Sequence, residues 1–304
     1  MGKVAVVFAG QGAQYPGMGK ALYEQSAAAR AVFDLCESIR PGTLAMCFDG
    51  EKEALSQTVN TQPCLFAMDL ACAEALKEAG VRADGAAGFS LGEVAAAAFC
   101  GVLSHENAFR FVVERGERMD RCAKQNPGGM IAVLRLAPEK VEALCAEAGE
   151  CWPVNYNCPG QVAVAGKAEA LVRLQGRIAE EKGRFVPLAV SGGFHSPLMA
   201  EAADTLFDLL ENLPVHAPAI PLYANVTALP YGENGRELLS RQVKSPVRWQ
   251  ETIEHMKQDG YDRFFEVGAG KTLSGLIRKI DPALTVKNVE TPEDTAAIRA
   301  ALEE

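Results

Sequence analysis

Residues 83–100 read ADGAAGFSLGEVAAAAFC. A short apolar run leads into Gly88-Phe89-Ser90-Leu91-Gly92, and an alanine-rich stretch follows with no spacer. The run reads as a strand over Ala83–Phe89 and the stretch as a helix over Leu91–Cys100. A strand that passes into a helix this abruptly points to an α/β fold. The G-x-S-x-G spacing also fits a nucleophile elbow. Its glycines leave room for a strained turn that projects the serine hydroxyl, and the helix N-terminus favours negative charge developing beside it. The Leu91 backbone N–H would be one oxyanion donor.

The rest of the chain carries the same rhythm. Val4–Ala9 is a continuous apolar run, as expected of a strand buried on both faces. Pro63–Ala79 and His105–Lys124 read as helices, the second capped by Ser104. From about Gly128 to Val190 the order changes. GMIAVLRL is a strand, PEKVEALCAEA a helix, WPVNYN and QVAVAG strands, KAEALVRLQGRIAEE a helix and RFVPLAV a strand. That is β-α-β-β-α-β, the ferredoxin-like pattern, inserted in a larger α/β domain. Afterwards Ser196–Leu210 reads as helical and Ile220–Asn225 as a strand. Pro246–Gln258 reads as a helix, residues 264–267 as a strand, and Gly275–Ile280 lies on a helix. Thr291 caps a final helix with Pro292 at its first position.

Composition narrows the function. At 304 residues and 48% hydrophobic content the chain can bury a large core. A net charge of −9 argues against a nucleic-acid binder and against docking on an anionic membrane. The start, MGKVAVVFAGQG, breaks at Gly10 and lacks a cleavage region, so no secretory signal is expected. No apolar run is long enough to span a bilayer. Nine cysteines without a C-x-x-C pair give no metal-ligand spacing, and no metal is expected. Their apolar neighbours suggest free buried thiols in a reducing cytoplasm.

Two glycine-rich segments mimic nucleotide loops. Gly10-Gln11-Gly12-Ala13-Gln14-Tyr15 follows a strand, but Tyr15 stands where a dinucleotide fingerprint needs glycine. GAGKT at 268–272 lacks the glycine that a phosphate loop needs at Phe265. Both read as sharp turns after strands.

A serine nucleophile needs a base. Of four histidines, His105 and His255 fall on helices among polar residues, and His216 lies in a proline-flanked loop. His195, in SGGFHSPLM, follows the last strand of the insertion and precedes a helix, which makes it the best base. No acidic residue stands out as a third member, so a dyad is expected. Arg115 shares a helix face with Ala108, Phe111, Val112, Met119 and Cys122. A guanidinium on that face needs a partner: an internal carboxylate, or one on a substrate held bidentately.

At this point the chain resembles a known family. FAGQGAQYPGMG, GFSLGEVAA, VERGERM, NYNCPGQVAVAG, FHSPLM, RQVKSPVRW and FEVGAGKTL occur in the order found in malonyl-CoA:acyl carrier protein transacylases. The resemblance spans essentially the whole chain. It implies an α/β-hydrolase-like large domain over 1–126 and 192–304, with a ferredoxin-like small domain inserted over 127–191. It also implies acyl transfer from malonyl-CoA to the phosphopantetheine thiol of acyl carrier protein, for fatty acid biosynthesis, by a cytoplasmic monomer without a cofactor. Ser90 would be the acylated nucleophile and His195 its base. Gln11 would join Leu91 in the oxyanion hole, and Arg115 would grip the malonate carboxylate. The Gln242 backbone carbonyl would orient His195 in place of a triad acid. Phe194 would crowd a branched acyl group. Two departures stand out: Phe89 replaces the usual elbow histidine, and Ala9 the usual proline. Basic residues at 173, 177, 182 and 184, and at 271, 278 and 279, are candidates for docking an acidic carrier. A polyketide setting, an esterase or thioesterase, and a non-catalytic carrier-binding protein are the alternatives.

Overall fold

The structure, a computed structural model, describes residues 2–303. Among the described residues nine strands form two sheets. They are β1 (Lys3–Phe8), β2 (Gly85–Gly88), β3 (Gly129–Leu134), β4 (Cys151–Cys158), β5 (Gln161–Gly166), β6 (Arg184–Pro187), β7 (Leu222–Tyr223), β8 (Tyr261–Val267) and β9 (Thr285–Val289). The first sheet runs β7-β2-β1-β8-β9 with every pairing parallel. The second runs β4-β5-β3-β6 with every pairing antiparallel.

The apolar run of β1 sits at the centre of the parallel sheet. Val4, Val6 and Phe8 enter one core cluster, while Ala5 and Val7 enter another on the opposite face. The two-residue period of a strand divides its side chains this way, and helices on both sides then cover the sheet. In register, Phe8 lies beside Gly88 and Val267, so the loops after β1, β2 and β8 emerge together. In open parallel sheets that carboxyl edge is where ligand sites form.

The antiparallel sheet follows the β-α-β-β-α-β order expected from sequence, with helices Pro138–Ala148 and Ala168–Glu180 between its strands. Ile131, Val133, Val162 and Val164 pack against Leu144, Leu171 and Leu174 of those helices. On the other face Met130, Ala163 and Ala165 join the main core. The sheet is also stitched to the rest of the chain: Tyr156 N–H donates to Val247 O (2.9 Å) and Val247 N–H to Val154 O (2.8 Å).

Several elements depart from the sequence reading. The helix expected from Pro63 begins at Thr58 and runs to Glu78. Pro63 forfeits only one bond near the start, and Gln57 O takes the Asn60 and Thr61 N–H groups (2.8 Å each). The extra turn brings Thr58 and Gln62 to the site described below. Strand β7 spans two residues rather than six, because the chain leaves the sheet after Tyr223 and Asn225 turns toward Ser90. Strand β9 was not expected; its alternation is short and half polar, as suits an edge strand. The helix after GAGKT starts at Thr272, and its first turn is already occupied. The buried Glu266 carboxylate accepts from Leu273 N–H (2.8 Å) and Ser274 N–H (2.6 Å). An internal anion thus sits where a nucleotide loop would hold phosphate. The final helix keeps its cap, with Asp294 N–H donating to Thr291 Oγ1 (3.2 Å) and Thr291 N–H to Asp294 Oδ2 (3.0 Å). Among the described residues no helix is long and apolar enough to cross a membrane.

Candidate active site

The site is built at the β2 elbow. Ser90 has φ 53° and ψ −106°, a conformation that costs an L-residue steric strain. The flanking glycines make the turn feasible. A Cβ on Gly88 would lie 2.1 Å from Gly92 C, and a Cβ on Gly92 2.3 Å from Phe8 O. Both contacts are with backbone, so any side chain there would force the elbow apart. Asn225 holds the turn from outside: its Oδ1 accepts Ser90 N–H (2.7 Å), and its Nδ2 donates to Gly88 O (2.6 Å).

His195 comes from 105 residues away in sequence, and its Nε2 lies 2.7 Å from Ser90 Oγ. It too has positive φ (60°), and its N–H donates to Val243 O (2.9 Å). Its Nδ1 lies 2.9 Å from the Gln242 carbonyl oxygen. A carbonyl can only accept, so Nδ1 carries the hydrogen and Nε2 is left free to take a proton from Ser90. Burial, then the Arg115 charge, push the imidazole down to about 4 from its ordinary 6.5, against the raising effect of its backbone carbonyl partners. The neutral base therefore persists well below the usual histidine range. Modification of Ser90 by a small sulfonyl fluoride is expected to keep its rate from neutral pH down, and to fall only as pH approaches about 4. A midpoint near 6.5 would show that His195 does not act in this environment.

Arg115 is 1% exposed and lies against the nucleophile. Its NH1 donates to Gln62 Oε1 (2.7 Å), and its NH2 to Gln242 Oε1 (2.7 Å) and Ser90 Oγ (3.3 Å). Nε has no protein partner among the described residues. Among the described residues no carboxylate touches the guanidinium, so the internal-acid alternative is not realised there. Burial lowers its pKa to about 10, and the nearby Glu93 carboxylate opposes that shift. At neutral pH a full positive charge is held beside Ser90 by neutral amides only.

Facing the elbow is the loop after β1. A Cβ on Gly10 would lie 2.8 Å from Phe89 O, so glycine permits the approach. The Gln11 side chain is drawn aside, with Nε2 3.4 Å from Thr58 Oγ1. Among the described residues, neither the Gln11 nor the Leu91 backbone N–H donates to a protein acceptor. A cavity of about 230 Å³ opens here, between the sheets. Gln11, Phe89, Ala132, Asn155, Asn157 and Leu273 are on its wall. Among the described residues the buried Oδ1 atoms of Asn155 and Asn157 have no protein donor. Phe89 stands edge-on to Trp249, with ring centroids 5.6 Å apart. Phe194, directly before His195, is buried in the main core. A roomier cleft of about 460 Å³ beside Tyr156, Arg248 and Glu254 holds none of these groups. Chemistry, not volume, selects the site.

The fold thus brings together Ser90, His195, Arg115 and Gln242, with Gln11, Leu91 and Phe89 around them. Sequence reasoning missed Gln62, Glu93, Asn155, Asn157 and Asn225. Of these Glu93 left a trace as a lone acid inside LGEVAAAA, and Asn155 and Asn157 stand in NYNCPGQVAVAG; Gln62 and Asn225 left none. The other three histidines lie elsewhere. His105 faces Glu74 at 3.7 Å, His255 bonds Ala228 O at 2.9 Å, and His216 is exposed.

Comparison with known proteins agrees with this geometry. Residues 5–290 match the family described as acyl transferase domain. The malonyl CoA-acyl carrier protein transacylase of Bacillus subtilis (strain 168) is 38% identical over 302 residues, covering 96% of this chain and 95% of the relative. The crystal structure of malonyl CoA-acyl carrier protein transacylase from Clostridium perfringens superposes with a TM-score of 0.95 at 35% identity, covering 99% of this chain and 97% of that one. A malonyl-transacylase in complex with its type II PKS acyl-carrier protein gives a TM-score of 0.94 at 32% identity, covering 98% and 99%.

Proposed function

Since the chain belongs to the acyl transferase family of the malonyl CoA-acyl carrier protein transacylases, we propose that Ser90 carries malonyl between coenzyme A and acyl carrier protein. The enzyme is an acyl-carrier-protein S-malonyltransferase, and its reaction supplies malonyl groups for fatty acid biosynthesis. The observation that carries the reading of the site is the buried Arg115 charge, 3.3 Å from Ser90 Oγ and without an acidic partner in contact.

In the proposed chemistry malonyl-CoA enters with its free carboxylate on Arg115. Ser90 Oγ passes its proton to His195 Nε2 and attacks the thioester carbonyl. The oxyanion is held by the Leu91 and Gln11 backbone N–H groups, one such donor being worth about 3–4 kcal/mol. The C–S bond breaks, and His195 returns the proton to the coenzyme A sulfur. The phosphopantetheine thiol of the carrier then gives its proton to His195 and attacks the malonyl ester carbonyl; the C–O bond to Ser90 breaks, and His195 returns the proton to Ser90 Oγ. The bound carboxylate has a second effect: it cancels the guanidinium charge that depresses His195, so the correct substrate strengthens the base. The free acceptor atoms of Asn155 and Asn157 suit the amide N–H groups of a pantetheine arm threading the cavity. Neither a metal nor a redox cofactor enters these steps.

The finer fold description follows the same reading: an α/β-hydrolase-like catalytic domain over 1–126 and 192–304, and a ferredoxin-like insertion over 127–191. Nine free buried thiols fit a reducing cytoplasm. A polyketide carrier is the alternative acceptor: one similar structure is a malonyl-transacylase in complex with its type II PKS acyl-carrier protein. A plain thioesterase would have no use for a buried cation beside its nucleophile.

The two-step scheme requires parallel double-reciprocal lines when malonyl-CoA and carrier are varied; intersecting lines would exclude a free malonyl-enzyme. The structure also sorts the basic residues. Arg177 pairs with Glu147, Arg173 donates to Ala148 O and Arg278 to Val286 O. Lys271 and Lys279 are exposed at the helix whose Thr272, Leu273 and Leu276 line the cavity. Reversing both lysines to Glu is expected to slow single-turnover transfer from the malonyl-enzyme to carrier by about five- to tenfold. Unchanged transfer would remove this face as the docking surface.

A further inference from the structure

Glu93 lies one turn into the helix that starts at the elbow, and it is fully buried. Three donors converge on its carboxylate. Tyr231 Oη donates to Oε1 (2.6 Å), while Gln242 Nε2 (2.5 Å) and Asn225 N–H (3.3 Å) donate to Oε2. Such a set suits an ionised carboxylate, which only accepts. The consequence falls on Gln242. A side-chain amide has one accepting and one donating end, and these can exchange by rotation. Here Nε2 is drawn to Glu93 and also to Ser90 O (2.8 Å), which leaves Oε1 facing Arg115 NH2. With the amide reversed, an N–H₂ group would confront the guanidinium, donor against donor.

We propose that Glu93 is a positioning residue for substrate selection. It holds the Gln242 amide in the orientation that seats Arg115 beside Ser90, and so sets the preference for acyl groups that end in a carboxylate. The assignment rests on the proposed role of Arg115 as the carboxylate clamp. It separates two tasks within one residue. The Gln242 backbone carbonyl serves His195, and its side chain, under Glu93, serves Arg115. Glu93 makes no contact with the Ser90 hydroxyl or the His195 ring, so loss of its charge acts on the clamp first, while the elbow keeps the Asn225 side-chain bonds that hold it.

Glu93→Gln is the cleanest probe, because it keeps shape and most hydrogen bonds while removing the charge. Self-acylation is followed by intact mass with malonyl-CoA and with acetyl-CoA, at pH 8. That is above the carboxyl, which burial raises to about 7 against the pull of Tyr231, Gln242, Asn225 and Arg115. The expected result is a fall of about tenfold or more in malonyl loading, expressed as a higher KM. Acetyl loading is expected to stay within about twofold, so that the malonyl-to-acetyl ratio drops. Tyr231→Phe removes one donor from Glu93 and is expected to move the ratio the same way by less. A ratio unchanged in Glu93→Gln overturns the proposal, as does an equal fall for both substrates, which a merely structural role would give. Should Glu93→Gln fail to fold, an unchanged ratio in Tyr231→Phe overturns it instead. Wild-type protein without a malonyl preference would defeat the Arg115 clamp itself, a different result from failure of the Glu93 assignment.

Discussion

Ser90→Ala is expected to yield no malonyl-enzyme after brief incubation with malonyl-CoA, where the wild type gains one malonyl increment in intact mass. The oxygen that would form the ester is gone, and no other nucleophile in the described site lies within reach of His195 Nε2 at 2.7 Å. Transfer to carrier is expected to fall by at least about 10⁴-fold, the scale on which removing a covalent nucleophile acts. The fold should survive, because alanine relieves rather than adds bulk at the strained φ of 53°. An acetyl-CoA control reads the clamp in the same experiment. A mass increment that persists in Ser90→Ala would place the acyl group on another residue. Release of free coenzyme A and malonate by the wild type without any increment would mark a hydrolase.

Arg115→Lys is expected to reduce malonyl loading by about 10²-fold in kcat/KM while leaving acetyl loading little changed. Lysine keeps the charge but has one compact donor group. It cannot hold Gln62 and Gln242 and still present a planar fork to a carboxylate. A charge-assisted bidentate contact in a water-poor site is worth about 3 kcal/mol, which sets the size of the loss. The two substrates separate the explanations. If the variant slows both equally, Arg115 merely supports the elbow; if malonyl loading is preserved, the carboxylate is bound elsewhere. Arg115→Ala is less informative, since it also strands two buried amides.

The Phe89 position shows how a local reading and the structure complement one another. The family resemblance marks it as a departure from the usual elbow histidine. The structure places the ring against Trp249 at the cavity wall, and its carbonyl next to Gly10. Phe194 differs: adjacent to His195 in sequence, its side chain turns into the core. Neighbours on a chain with positive φ need not share a direction, so adjacency alone says little about which side chain meets substrate.

What the sequence determined by itself was local. The β1 run, the glycine-flanked elbow, the Ser104 cap and the six elements of the insertion all follow from periodicity, capping and steric rules acting within a few residues. Arg115 on an apolar helix face belongs here too, because 3.6-residue spacing places it without reference to anything else. Tertiary structure alone decided the wiring. His195 reaches Ser90 across 105 residues, Gln242 reaches Arg115 across 127, and Gln242 reaches Glu93 across 149. No spacing rule connects such groups. Parallel pairing of β1 and β2 brings the Gln11 and Ser90 loops to one edge, and His195, Arg115 and Gln242 reach that edge from helices and loops elsewhere in the chain, where the cost of a buried donor left without an acceptor fixes which partner each polar group takes.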